Sequence, residues 1–488
     1  MKSSNSITYA FALVLSLFNV QLIKADSQAH NHTSPLKTDV NTSTGVFQFS
    51  HPVIHTQGRL TSFALSLNYR YNRKGRFGLP EGWQFDIHHI DNKTLNLDGQ
   101  QWRIDPTWHD ESSYASGLKY QNQHGILFKD EGVGKPIPSD PTRFYRYCLS
   151  HKDGSVSYFS EEGLLILSLD RFNNRIEYEY LTPIESIEKA KIRRIKDNYG
   201  QSYLFDYDPG AITITYPDNR KFVIYHRVHG VHELVNPLKQ AITFKYIQQG
   251  NTTLIENLQT PSGLLLSLTY KSIKAKNSEG TVSLPVVSSF THRDLKTQQL
   301  LKQRNYKYAE EKNFTGYPKY IQNDNNDSLF DSNDRDYRYS VTVEENNLED
   351  KPLFRTRQYT YNALHLPIEI ITRYQGKAYS RTVYEYNISP FKYSQSTNFD
   401  KPKTITHQVH DEKNNQWLDR TKHYHKHDLF GNLIQTEHHV YDPNNKHWVL
   451  ISTKSSSYFT NFYSLAKETL HTDYINGISI KRSYGLSA

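Results

Sequence analysis

Leu169-Asp170-Arg171-Phe172-Asn173-Asn174-Arg175-Ile176-Glu177-Tyr178-Glu179-Tyr180 is the stretch whose reading decides the fold. Asn173-Asn174 is a pair that tolerates positive φ, and it predicts a tight reversal between two strands. Beyond it, Ile176, Tyr178 and Tyr180 alternate with Arg175, Glu177 and Glu179. That is period two, with one apolar-aromatic face and one charged face. A hairpin with one wet side is expected.

The unit recurs. Tyr158-Phe159 leads through Gly163 into it, and Asp197-Asn198-Tyr199-Gly200 runs on into Tyr203, Phe205 and Tyr207. Pro217-Asp218-Asn219 precedes Phe222-Val223-Ile224-Tyr225, Asn236-Pro237-Leu238 precedes Ile242-Thr243-Phe244-Lys245-Tyr246, and Pro261-Ser262-Gly263 precedes Tyr270. The closing tyrosines fall roughly 18 to 27 residues apart, the period of one hairpin per repeat. Further copies follow at Tyr359-Thr360-Tyr361-Asn362 and Tyr384-Glu385-Tyr386-Asn387. The clearest is His427-Asp428-Leu429-Phe430-Gly431-Asn432-Leu433, ahead of Val440-Tyr441-Asp442. The Asn/Asp-rich residues 323–336 read as loop, inside a polar insertion near 309–356. Residues 184–194 predict a short helix with Ile184, Ile187 and Ala190 on one side.

Composition agrees with sheet. Of 488 residues only 36% are hydrophobic, yet 13% are aromatic and 36 are Tyr. A chain this long would usually be several domains, unless it is a repeat array growing by addition. The net charge of +8 is scattered among acidic residues, with no basic run beside a recognition helix or zinc-finger spacing, so no nucleic-acid partner is expected. Lys2, the apolar residues 9–20 (YAFALVLSLFNV) and Ile23-Lys24-Ala25 predict a signal peptide over 1–25 and a secreted protein, extracellular or periplasmic. Residues 26–39 read as a flexible leader, and no later stretch is long and apolar enough to span a membrane. Cys148 is the only cysteine, which excludes an intrachain disulfide, and its neighbours Tyr147 and Leu149 predict a buried core thiol.

Residues 40–143 predict a small β module. Val40-Asn41-Thr42-Ser43-Thr44-Gly45 precedes the strand Val46-Phe47-Gln48-Phe49, then come Pro52, Leu65-Ser66-Leu67-Asn68-Tyr69, Phe77-Gly78 and Gly82-Trp83. Asp98-Gly99 is a hairpin signal. Residues 132–141 read as a Gly/Pro-rich loop, and Gly132-Val133-Gly134-Lys135 lacks the spacing of a phosphate loop.

The order of these pieces, and the hairpin copies after residue 144, resemble Rhs/YD-repeat proteins and SpvB-type toxin subunits over most of residues 40–488. The last copy matches that family's Y-D-x-x-G-N-L signature, with His427 in place of Tyr. The resemblance implies an all-β fold, an antiparallel YD-repeat hairpin strip over 144–488 curling into a partial shell. It also implies a toxin-associated shell or docking component, with protein cargo or a toxin-complex subunit as partner and glycans as a further ligand class. Asp208-Pro209 and Asp442-Pro443 sit at ordinary repeat turns, so the family's self-cleaving core and toxic domain are not expected.

Two residue groups invite chemistry. His423, His425 and His427 share a strand face, and in one register His423 lies opposite His438, so His423, His425 and His438 are candidate zinc or copper ligands. A one-residue slip removes His438 from that face, and solvated strand histidines are the other reading. Tyr178, Tyr180, Tyr207, Tyr225 and Tyr246 are either cross-strand packing or an aromatic platform for sugar rings or a partner. No G-x-S-x-G or H-E-x-x-H is present, no carboxylate pair can be placed, and no cofactor is expected. The expected function is a secreted scaffold without its own catalytic site. A surface carbohydrate-binding or adhesion module is the alternative, and a secreted hydrolase a third class.

Overall fold

The computed structural model describes residues 37–57, 62–91, 94–97, 100–103, 127–151, 153–184, 186–321, 328–347, 353–390, 398–428, 431–459 and 466–484. The expected signal peptide, most of the leader and the Asp98-Gly99 turn lie outside these residues. The fold is all-β: 25 strands, from Leu127–Ile137 to Ile478–Ser483, pair antiparallel in sequence order to make one open strip. Two small sheets precede it: Lys37–Val40, Phe47–Gln57, Ser62–Tyr69 and Trp83–Phe85 form one, and His89–Asp91, Thr94–Leu97 and Gln100–Arg103 the other.

The repeat has a local cause at its turn. Asp170 Oδ1 accepts the amides of Phe172 and Asn174 at 2.8 and 2.9 Å, while Asn173 donates to Asp170 O at 3.0 Å and takes φ +62°. Asp197 does the same for Tyr199 and Gln201, with Gly200 at φ +77°. Asn236 repeats it for Leu238 and Gln240, and Asn362 for Leu364 and Leu366. The reversal is therefore a three-residue loop capped by its own Asp or Asn, with one left-handed position, instead of a two-residue Asn-Asn turn.

The closing tyrosine has a cause too. Tyr180, Tyr246 and Tyr270 each follow a register shift, and each hydroxyl donates to a backbone carbonyl fifteen residues upstream: Leu165 at 2.9 Å, Val231 at 2.6 Å and Ile255 at 2.6 Å. Tyr207 uses the same spacing in reverse, accepting the amide of Ile192 at 3.0 Å. The bulge turns the ring across the neighbouring strand, and the hydroxyl ties the two arms of its own hairpin together.

The strip is wrapped round the N-terminal module. Phe63 meets Tyr178, Phe85 meets Phe205, Phe49 and Trp83 meet Phe244 with centroids 5.1 Å apart, and Phe47 meets Phe290. Trp83 Nε1 donates to Tyr246 Oη at 3.1 Å, and Val287 donates to Gly45 O at 2.9 Å. Thr42 Oγ1 lies 2.8 Å from Tyr361 Oη. These partners span thirteen successive strands, Arg175–Tyr180 to Leu353–Asn362. Laid flat they would cover roughly 58 Å at about 4.8 Å per strand. A module of this size is on the order of 27 Å across. One module can reach all of them only if the sheet curls.

Three local expectations are corrected. Among the described residues between Arg175–Tyr180 and Ile192–Lys196 there is no helix: Leu181 donates to Lys191 O at 2.9 Å, which leaves room for a single turn at Ser186 and Lys189. Gly132 and Gly134 form a bulge inside the strand Leu127–Ile137, and Asp140–Ser150 pairs back on it. Within residues 323–336, Ser328–Asp331 is one helical turn.

Phe244→Ala is expected to lower the stability of the whole chain by ~3–5 kcal/mol, because the ring is buried among Phe49 and Trp83. Chemical denaturation of the full chain measures it. A loss below about 1 kcal/mol would mean the module does not fill the strip.

Candidate functional site

The candidate site is the face of the strip that covers the module, followed beyond the module's edge. Tyr178 and Tyr180 are buried against the module, and burial pushes both hydroxyls above the usual phenol range. Tyr246 is held between Trp83 and Val231, and Tyr207 against Ile192, and burial raises both of these as well. Their rings are committed to packing and are not open to a sugar. Tyr225 differs, being 37% exposed and 6.0 Å from the ring of His232. The five tyrosines therefore do not form one platform. In Tyr180, Tyr207 and Tyr246 the hydroxyl latches the two arms of one hairpin.

Beyond the module the same face continues. Ile370, Tyr384 and Ile405 form a small buried cluster, with Tyr359 and Tyr386 packed on it, and Tyr359 also borders the main core. Ile405 pairs with His423, and His423 with His438, which is the register the sequence offered. Imidazoles then replace the aromatic row. The His423 and His438 rings stack with centroids 4.6 Å apart and planes 3° from parallel, His425 stacks on His423 at 6.2 Å, and His407 meets His423 edge-on at 6.0 Å. His427 lies 6.4 Å from His425 and follows a register shift at Lys426/His427. It directly precedes Asp428, whose Oδ1 caps the next turn by accepting the amide of Asn432 at 2.8 Å.

Parallel rings present their faces to one another and their nitrogens outward, which is packing and not a coordination sphere. Among the described residues no group of three His, Cys, Asp or Glu side chains is placed to hold a metal ion. The candidate ligands His423, His425 and His438 are thus neighbours without converging. Burial, then the neighbouring His438, lowers His423 to about 4. Burial, then His425, lowers His427 to about 4. His407, His425 and His438 are lowered as well, burial being the main cause in each. The cluster is neutral at pH 7.

A cleft of about 630 Å³ opens beside this region, lined in part by Arg335, Arg338, Glu369, Arg381 and Glu385. Arg381 Nε lies 2.6 Å from Glu369 Oε1, and Thr404 Oγ1 donates to Glu385 Oε2 at 2.7 Å. The charges are mixed: Arg381 and Glu369 pair with each other, while Arg335 and Arg338 donate to backbone carbonyls. Cys148, on the strand Asp140–Ser150, is half-buried beside Tyr145 and Tyr158, and burial raises its thiol to about 11.

No family model and no curated protein matches the chain. Among solved structures, the Tc holotoxin pore of Photorhabdus luminescens aligns with 92% of this chain and 26% of its own, at 10% identity and a TM-score of 0.21. A TcdB2-TccC3 structure aligns with 86% of this chain and 27% of its own, at 8% and 0.16. A porin-like protein from Bacteroides uniformis aligns with 59% and 93%, at 9% and 0.19. The chain spans about a quarter of the length of the Tc chains it matches. At TM-scores this low, neither the Tc structures nor the porin-like protein define its role.

Tyr246→Ala is expected to cost ~3–5 kcal/mol, and Tyr225→Ala to stay within about 0.5 kcal/mol, in parallel denaturant titrations. Equal costs would contradict the latch. The Cys148 thiol should react with a disulfide reagent at pH 8 about 100-fold more slowly than free cysteine, since so little of it is thiolate. Reaction at the free rate would place it in an ordinary solvated site.

Proposed function

We propose that the protein is a secreted, non-enzymatic β scaffold of the Rhs/YD-repeat kind, a shell or docking component that holds another polypeptide against the inner face of its strip. One observation carries this reading. Over thirteen strands that face is filled by the chain's own N-terminal module, and over the strands from Pro367–Tyr374 to Ile478–Ser483 it continues with no module packed on it among the described residues. A surface that retains a small β module through aromatic packing and backbone hydrogen bonds can retain a second one in the same way. Ile478 and Ile480, both about half exposed on the last strand, give that region apolar anchors.

The chemistry of the face supports containment over turnover. Tyrosine hydroxyls engaged with backbone and neutral imidazoles stacked on each other are prominent among its polar groups, and two carboxylates of the neighbouring cleft are engaged, Glu369 by Arg381 and Glu385 by the Thr404 hydroxyl. The resemblance of the hairpin copies to YD repeats and the signal-like first 25 residues favour a secreted toxin-associated role over an intracellular one.

The full chain, recovered from the medium of its native host and cross-linked, should carry a second protein that resists protease until the strip is unfolded. Cross-links should map to residues 402–483, and Ile478→Glu with Ile480→Glu should reduce recovery of that partner at least tenfold. If no protein co-purifies, or the cross-links map elsewhere, the docking role is wrong.

A further inference from the structure

From the stacked histidines we infer a second property, independent of whether anything docks there: the region from Pro402 to Asp442 is an acid-labile segment of the strip, which opens below neutral pH while the strands wrapped on the module stay folded.

The geometry supplies the device. Five imidazoles, His407, His423, His425, His427 and His438, lie in a chain of ring contacts of 4.6 to 6.4 Å on three adjacent strands, Pro402–Asp411, Gln416–His427 and Leu433–Asp442. They occupy the row that Tyr359, Ile370, Tyr384 and Ile405 occupy in earlier strands. Neutral imidazoles stack as aromatics do. Protonated ones at 4.6 Å repel, and a half-buried sheet face screens them weakly.

Little on the neighbouring elements would offset that repulsion. Thr382 on Lys377–Tyr386 lies 3.1 Å from His407 Nδ1, and Thr436 on Leu433–Asp442 lies 3.2 Å from His425 Nδ1. Neither carries charge. On His447–Tyr458 the facing positions are Ser452, opposite His438, and the cationic Lys454, opposite Thr436. His439 also acts on His423 and His438, and its partner Glu437, at 3.1 Å, pairs with Tyr424 on the other side of the sheet. Among the described residues, the carboxylates that act on the cluster do so at the His427 end, where Asp400 and Asp428 oppose Lys401. The strands between Arg175 and Asn362 have the module's apolar core beneath them, and this segment has none among the described residues.

The sign follows from linkage. Unfolded imidazoles titrate near 6.5 and take up protons that the folded cluster refuses down to about 4 for His423 and His427. Segment stability is therefore intact above about pH 6.5, falls as the pH drops below it, and goes on falling to about pH 4. Each proton taken up on opening raises the opening constant about tenfold per pH unit.

Amide exchange of the full chain, corrected for intrinsic rate, tests this at pH 7.5 and pH 5. Protection should fall by at least tenfold in Pro402–Asp411, Gln416–His427 and Leu433–Asp442 and stay constant in Lys221–Arg227 and Ala241–Gln249. His423→Gln with His438→Gln should remove most of that pH dependence. Uniform loss across the strip, no loss, or the same pH dependence in the variant would overturn the inference. If the variant fails to fold, the regional pattern in the unaltered chain decides alone.

Discussion

The structure depends on a tyrosine hydroxyl reaching back fifteen residues. In Tyr180, Tyr246 and Tyr270 that bond runs from the second strand of a hairpin back to a carbonyl on its first strand, with the ring largely shielded from water. A buried hydroxyl without a partner costs several kcal/mol in an apolar setting, so the phenol must find that carbonyl, and only one hairpin spacing offers it. A register slip of one residue would bury a charged face and strand the hydroxyl as well. Periodicity in the sequence is thus the record of a hydrogen bond repeated along the strip.

Curvature comes from a second source. The bulges beside the latch tyrosines add local twist, but the module decides what the sheet curls around. Gly45 shows how close the approach is. It sits at φ +71°, and an added Cβ would lie 2.7 Å from Val286 Cβ, while its carbonyl accepts the amide of Val287. Asn41 holds that corner through the amides of Ser43 and Thr44 at 3.0 and 3.1 Å. The Asn-to-Gly segment at the start of the module is a contact point for a strand some 240 residues later in the chain.

Much of this was legible in the sequence because it is local. Alternation at Ile176, Tyr178 and Tyr180, the Asp or Asn before each turn, and the positive-φ residue three places on are properties of one hairpin. The pairing of His423 with His438 was legible too, since turn length fixes register once the bulge is placed. What the sequence hid is non-local. Nothing in residues 47–85 announces that Phe49 and Trp83 meet Phe244, and an aromatic that closes a hairpin looks the same whether its ring faces solvent or another sheet. For that reason Tyr178 and Tyr246 suit a sugar platform on paper and are packing in the fold. The expected helix over 184–194 failed for a related reason: its apolar positions are buried, but by a short connection between paired strands.

The central claim is that module and strip are one cooperative body. A variant keeping Trp83 as its single tryptophan, with Trp102, Trp108, Trp417 and Trp448 changed to Phe, reports the module by fluorescence, while far-UV circular dichroism reports the strip. The account predicts that the fluorescence change coincides in denaturant with the main loss of sheet signal. A module transition completed while most of the sheet remains would contradict it.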